Sequence, residues 1–314
     1  MKKQFIVLFS MLAITLSASA QKEYKLSKSS GQLNLNISGA IIEGYSGNEI
    51  VFSIPTFKEE VVDERAKGLR VITGSGFTDN TGLGIDVTSQ GSEINVNTVN
   101  KELKGVLTIK VPQGVKVKFT NQSNMYHSDL ILKNLKSEIE VSSSYNKIKL
   151  ENNSGPMSVK SLFGSIDASF LNEVKGPVSI ISVYGHVDVS LPASVKANVE
   201  LSSGYGKLYA ADELKIAIDK TERTQTEQQA NSKASTSTTT TVNGLNTIIN
   251  GVKVVEGTTG FTSVFGNGRG TTISGLGLAA YGGRSSEDIK GTINGGGSNL
   301  VLKSSYENVY LRVK

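Results

Sequence analysis

An octapeptide pattern that returns along the chain constrains its folding more than any other feature. Ser143-Ser144-Tyr145-Asn146-Lys147-Ile148-Lys149-Leu150 is matched by Ser161-Leu162-Phe163-Gly164-Ser165-Ile166-Asp167-Ala168, by Ser182-Val183-Tyr184-Gly185-His186-Val187-Asp188-Val189 and by Ser203-Gly204-Tyr205-Gly206-Lys207-Leu208-Tyr209-Ala210. A fifth copy stands at Ser304-Ser305-Tyr306-Glu307-Asn308-Val309-Tyr310-Leu311, and Ser263-Val264-Phe265-Gly266 is a degenerate sixth. The shared pattern is Ser-x-aromatic-Gly-x-aliphatic-x-aliphatic, and the aromatics Tyr145, Phe163, Tyr184 and Tyr205 follow one another at 18, 21 and 21 residues. A unit this short cannot bury its apolar face alone and needs like units stacked on it, about 4.8 Å apart. The spacing therefore predicts an all-β, single-stranded β-solenoid, β-helix-like, with coils of 18–21 residues. In it the four aromatics form one ladder and the aliphatics another, and the glycine makes a corner through positive φ or close backbone approach.

The rest of the sequence agrees with strands. Leu33, Leu35 and Ile37 alternate with polar residues, as do Leu107, Ile109 and Val111, then Val115, Val117 and Phe119, which is the period of a half-buried strand. The one stretch with helical character is 212–222. It leads into a Thr- and Ser-rich segment at about 221–241 without a large apolar residue; such a segment cannot offset its own ordering entropy and is expected to be a flexible insertion between coils. Strand signals return in the Gly-rich stretch beyond, at Ile248 and Ile249 and at Val252, Val254 and Val255. The domain reading is a leader over 1–20, an N-terminal β-strand region over 21–104 forming the first coils, and a repeat region over 105–314 interrupted by that insertion.

Lys2 and Lys3, an apolar run from Phe5 to Leu16 and Ala18-Ser19-Ala20 before Gln21 have the form of a secretory signal peptide. The run is too short to span a bilayer comfortably, and no later stretch comes closer. Cysteine is absent, so disulfides, thiolate metal sites, a cysteine nucleophile and a lipidated cysteine are excluded. An exported chain without cysteines points to a bacterial envelope, in the periplasm or at the cell surface. Without Lys2 and Lys3 the net charge of +5 falls to +3, spread without a basic run, which argues against nucleic acid as a partner.

Leu107-Thr108-Ile109-Lys110-Val111-Pro112-Gln113-Gly114-Val115, a second such lead-in at Leu191-Pro192-Ala193-Ser194-Val195, and Gly291-Thr292-Ile293-Asn294-Gly295-Gly296-Gly297 before the last strand pair accompany the octapeptides. With them the chain resembles the putative-adhesin family of bacterial β-strand-repeat proteins, formerly a domain of unknown function and common in Bacteroidetes. The resemblance covers roughly 105–314 without the Thr-rich insertion, and 21–104 in pattern only. It implies a β-solenoid and an envelope or surface role, and it carries no catalytic or binding residues across.

Few residues offer chemistry. Asp167 and Asp188 hold the same position of the pattern on neighbouring coils, with His186 on the same outward face; paired carboxylates of this kind serve polysaccharide cleavage when their pKa values differ. Lys149 and Tyr209 occupy that position elsewhere, and no Trp is present for sugar stacking, so a solvated ladder is the favoured reading. Asp79-Asn80-Thr81-Gly82-Leu83-Gly84-Ile85-Asp86 is rich in oxygen ligands but lacks the spacing of a calcium loop and reads as a turn. Gly275-Leu276-Gly277-Leu278-Ala279-Ala280 matches a dinucleotide fingerprint without the strand and helix that give it meaning. The two histidines, His127 and His186, neighbour no nucleophile elbow. No catalytic, cofactor or metal site is expected. The leading function is a non-enzymatic adhesin or scaffold making multivalent contacts with glycan, matrix or protein. The alternatives are a carbohydrate-active enzyme using Asp167 and Asp188, and a periplasmic accessory protein that binds an envelope signalling partner by strand addition.

Overall fold

The computed structural model describes residues 21–55, 64–69, 74, 76–99, 103, 105–171, 175–219, 247–249, 252–254, 260–263, 271–274 and 287–314. The leader, the insertion at 221–241, most of the degenerate sixth copy and the Gly275–Ala280 stretch lie outside these residues.

Strands β1 (Gln21–Leu26), β2 (Ser30–Asn36), β3 (Ala40–Tyr45), β4 (Ile50–Pro55), β5 (Ile85–Gln90), β6 (Glu93–Thr98), β7 (Thr108–Pro112) and β8 (Gly114–Asn121) come first. Then follow β9 (Leu130–Lys133), β10 (Ile139–Ser143), β11 (Ile148–Glu151), β12 (Met157–Ser161), β13 (Ile166–Ser169), β14 (Val178–Ser182), β15 (Val187–Leu191), β16 (Ala197–Ser203), β17 (Leu208–Ala210) and β18 (Ala217–Ile218). The last are β19 (Thr247–Ile249), β20 (Val252–Val254), β21 (Gly260–Ser263), β22 (Thr271–Ser274), β23 (Glu287–Ile293), β24 (Ser298–Ser304) and β25 (Val309–Val313). The chain divides into one unit of Met1–Ala217 with Ser286–Lys314 and a second of Ile218–Ser285. In the second, β19 pairs with β20 and β21 with β22, each antiparallel.

The first unit is built on two open, mixed sheets. One runs β1-β4-β7-β3-β9-β11-β13-β15-β25-β17 and the other β18-β23-β16-β24-β14-β12-β10-β8-β2-β6-β5. From β8 to β15 the chain alternates between the sheets, and from β10 onward each of these strands pairs in parallel with the strand two places earlier. The register places Ile148 beside Ile166 and Ile166 beside Val187, the positions aligned in the octapeptides. Alternation along each strand sends one side-chain row inward and the other outward. The predicted inward residues Leu33, Leu35, Ile37, Leu107, Ile109, Val111, Val115, Val117 and Phe119 are all buried, in one apolar core with Ile148, Ile166, Val187 and Val309.

The strand pairs do not follow chain order. The C-terminal pair β24–β25 lies between β14–β15 and β16–β17, with Val187 and Leu208 both beside Val309. At the other end β2–β3 lies between β6–β7 and β8–β9. The two proline lead-ins mark these steps. Val111-Pro112-Gln113-Gly114-Val115 joins β7 to β8 across the position taken by β2, and Leu191-Pro192-Ala193-Ser194-Val195 joins β15 to β16 across the position taken by β24. A strand pair from near each end of the chain is thus slotted in one place from each end of the parallel run.

The Gly-rich stretch before the last strands has a matching role. β23 is antiparallel to β16 on one side and β24 parallel to it on the other, so the turn between them must cross over the start of β16. Asn294, Gly295 and Gly296 take φ of 51°, 84° and 86°, and a Cβ on Gly297 would stand 2.7 Å from the Lys196 carbonyl carbon. Left-handed backbone and close approach are what glycine permits.

The octapeptide corners owe their turn to the serine. Ser182 Oγ accepts the Gly185 N–H at 3.0 Å and donates to the Gly164 carbonyl at 2.9 Å in the neighbouring coil. Ser304 Oγ does the same with Glu307 N–H and the Gly185 carbonyl, each at 3.0 Å, and Ser203 with Gly206 N–H at 2.9 Å and the Glu307 carbonyl at 3.0 Å. The serine ladder is buried, and buried backbone groups need such partners. Ser182→Ala leaves one N–H and one carbonyl without this partner, and is expected to lower stability by about 1–3 kcal/mol in urea unfolding.

The helical expectation over 212–222 fails in its described part. Asp212–Leu214 is a single 3-10 turn, ended by Lys215 in left-handed backbone at φ 43°. Leu214 is drawn into the core beside the last coil, and that tertiary contact outweighs a short helical propensity.

Candidate interaction surface

The corner from 143 to 148 and its aligned neighbours carry the aromatics, and the rings stack. Tyr145 and Phe163 are 4.6 Å apart between centroids, Phe163 and Tyr184 4.8 Å, Tyr184 and Tyr306 4.5 Å, and Tyr306 and Tyr205 5.0 Å. His127 extends the row beyond Tyr145 at 5.5 Å. Interplanar angles of 9–24° make this one continuous ladder. Tyr306 intervenes between Tyr184 and Tyr205 because its coil does. In-register parallel strands bring identical positions to strand spacing, so near-parallel rings follow from the backbone.

The ladder is a surface feature. Phe163, Tyr184 and Tyr306 are 42–45% exposed and Tyr205 64%. Inside the row each ring face is covered by the next ring, so a partner meets ring edges and phenol hydroxyls. Among the described residues no further ring stacks beyond Tyr205, or beyond Tyr209, which stacks on Tyr310 at 5.2 Å in a second, shorter row. A cleft of about 300 Å³ adjoins the other end, lined by Ser38, Gly39, Leu103, Met125, Tyr126 and His127 among others.

The glycine of the pattern works by close approach alone. Gly164, Gly185 and Gly206 are not at positive φ, yet a Cβ on Gly185 would stand 2.6 Å from the Gly164 carbonyl carbon and one on Gly206 2.8 Å from the Asn308 nitrogen. Asn146 takes the glycine position in the first copy and turns inward, its Nδ2 donating to the Ser38 and Ser128 carbonyls at 2.6 Å each.

The structure brings Asp167, Asp188 and His186 together on the outer face of one sheet. Asp167 and Asp188 are direct strand neighbours. His186 Nε2 lies 3.1 Å from Asp167 Oδ1, and Arg312 Nε donates to both oxygens of Asp188 at 2.8 and 2.9 Å. Arg312 also lies over the Tyr310 ring at 5.1 Å. Its hydrogen bond to Asp188, then the charge of that carboxylate, holds the guanidinium pKa above its ordinary value. Lys149, next in the row, pairs with Glu151 at 2.7 Å, and that hydrogen bond raises its pKa. On the other sheet Lys118 pairs with Glu140 at 3.1 Å. Burial lowers the pKa of Lys160, against the Glu140 carboxylate that raises it. Arg312 and Tyr310 escaped the sequence reading of this face. Tyr310 does hold the Asp188 position of the fifth copy, but that copy's place in the stack was needed to see the contact.

The Asp79 loop is a turn. Asp79 Oδ1 accepts from Thr81 N–H at 3.0 Å, Thr81 Oγ1 at 3.0 Å and Gly82 N–H at 2.8 Å, while Oδ2 accepts from Gly84 N–H at 2.9 Å. A carboxylate saturated by donors holds a loop in place. Among the described residues no group of three or more His, Cys, Asp and Glu side chains is arranged to hold a metal ion, and no helix is long and apolar enough to cross a membrane.

No protein-family profile matches the chain, and no curated protein does. Two solved structures align over most of its length. A "putative cell adhesion protein" from Clostridium sporogenes covers 94% of this chain and all of its own at 12% identity, with a TM-score of 0.37. A "putative adhesin" from Bacteroides fragilis covers 95% and 98% at 10% identity, with a TM-score of 0.35. At such scores neither likeness defines the fold or the activity of this chain.

Proposed function

We propose that the chain is a β-solenoid of the bacterial envelope, exported by its leader, that acts without catalysis as an adhesin or scaffold. The observation that carries this reading is the ladder from His127 to Tyr205, an aromatic ring repeated at 4.5–5.5 Å on successive coils. Many weak, identical contacts along a row suit an extended partner, a glycan, a matrix polymer or a protein, and add through avidity. The parallel alternation between two sheets supports the solenoid, with two strands per coil. Against a hydrolase stands the engagement of both carboxylates, Asp188 by Arg312 and Asp167 by His186; an acid and a base for glycoside cleavage need one proton-bearing and one free carboxyl.

Incubating the chain from Gln21 with a panel of polysaccharides and matrix polymers tests the choice. Binding without release of reducing ends, unchanged in Asp167→Asn, is the expected result. Turnover that disappears in Asp167→Asn would replace the adhesin reading with the enzyme.

A further inference from the structure

The position of β24–β25 has a consequence for association. β14–β15 and β16–β17 are consecutive in the chain, yet they stand two strand positions apart in both sheets. The space between them is one coil wide, and the chain that fills it arrives only after Ile218–Ser285. Both walls offer full strand edges. Val178, Ser179, Ile180, Ile181 and Ser182 pair with 300–304 on one side, and Ala197 to Ser203 pair with 298–304 on the other. On the second sheet β15 and β17 flank β25 in the same way.

We infer that this slot is an interaction surface for a second copy of the chain, whose own C-terminal segment, from β23 onward, takes the place of the resident one. The slot is specific for that segment. Tyr306 completes the ladder between Tyr184 and Tyr205. Ser304 Oγ closes on the Gly185 carbonyl at 3.0 Å, Lys303 pairs with Glu200, and Arg312 pairs with Asp188 at 2.8 Å. Every one of these contacts is reproduced when the segment comes from another copy, so exchange creates no new interface and sacrifices none; swapping an identical element is a low-cost route to dimers in this sense. What opposes it is the effective concentration of the tethered segment, of millimolar order for linked modules. Exchange therefore belongs to crowded copies, as on a surface, and not to dilute solution. The N-terminal coil β2–β3 does not share this freedom, because β4 follows it after Ser46-Gly47-Asn48-Glu49 and holds it to the same sheet.

The absence of native cysteines makes the test direct. Ser190 and Arg312 are partners across β15 and β25, a separation a disulfide spans. In the full chain, Ser190→Cys with Arg312→Cys is expected to form an intramolecular disulfide in the monomer. Failure to do so would refute the slot itself. Two preparations, one carrying Ser190→Cys alone and the other Arg312→Cys alone, are then mixed at micromolar and at millimolar concentration and oxidised. Exchange predicts a mixed disulfide dimer at least tenfold over either homodimer at the higher concentration, falling towards random collision at the lower. Equal yields of mixed and homodimeric products at millimolar concentration would overturn the inference while leaving the intramolecular slot intact.

Discussion

Val187→Asp abolishes the cooperative unfolding transition or moves it by several kcal/mol. Val187 is fully buried between Ile166 and Val309, and an unpaired carboxylate there has neither water nor a cation. The cost of burying such a charge is about 4 kcal/mol or more, a large share of the stability of an ordinary domain. Because both neighbours belong to other coils, the loss spreads in two directions along the stack. Circular dichroism followed through urea is the measurement. Asp188→Asn, one residue on and facing out, removes a half-exposed ion pair and is expected to cost under about 1 kcal/mol. Similar midpoints for the two variants would mean that the strand faces are reversed.

Gly185→Val is expected to be the other severe change, at about 3 kcal/mol, since its Cβ would meet the backbone of Gly164, which no side-chain rotation relieves. The contrast lies in the same position of the fifth copy. Glu307 carries a side chain there and points it into solvent, so Glu307→Ala is expected to stay within about 0.5 kcal/mol of the parent. A thermal melt of both variants checks the pair, and equal shifts would remove close coil approach as the reason for the glycine.

These contrasts show what was legible in the residues. Alternation at Leu33 to Ile37 and at Val115 to Phe119 named the inward rows because a strand has only two faces. The octapeptides named the register of Ile148, Ile166 and Val187 because parallel neighbours repeat their contacts at each coil. The aromatic ladder followed from the same alignment. The order of the stack was not legible: nothing local in Ser298–Ser304 says that it lies beside Val178 and Val199 at once, since pairing across about a hundred residues is decided by which edges stay open. The two proline lead-ins were visible as motifs, yet their purpose, to step over an occupied position, exists only in three dimensions. The surface cations were missed for the same reason. Arg312 reaches Asp188 across 124 residues, through a neighbour that chain order conceals. The serine of the octapeptide was visible as well, but its double hydrogen bond to its own corner and the next could be read only from the stacked backbones.

The proposed function rests on the repeated ladder and not on any one residue. Binding of the chain from Gln21 to the best polymer of the panel, compared among Phe163→Ser, Tyr184→Ser, Tyr306→Ser and the triple variant, with folding checked by circular dichroism, tests it most directly. A loss of up to about threefold is expected for each single change and of at least about tenfold for the triple, since weak contacts act together. Affinity that is unchanged in the folded triple variant, or that vanishes with one ring alone, would contradict it.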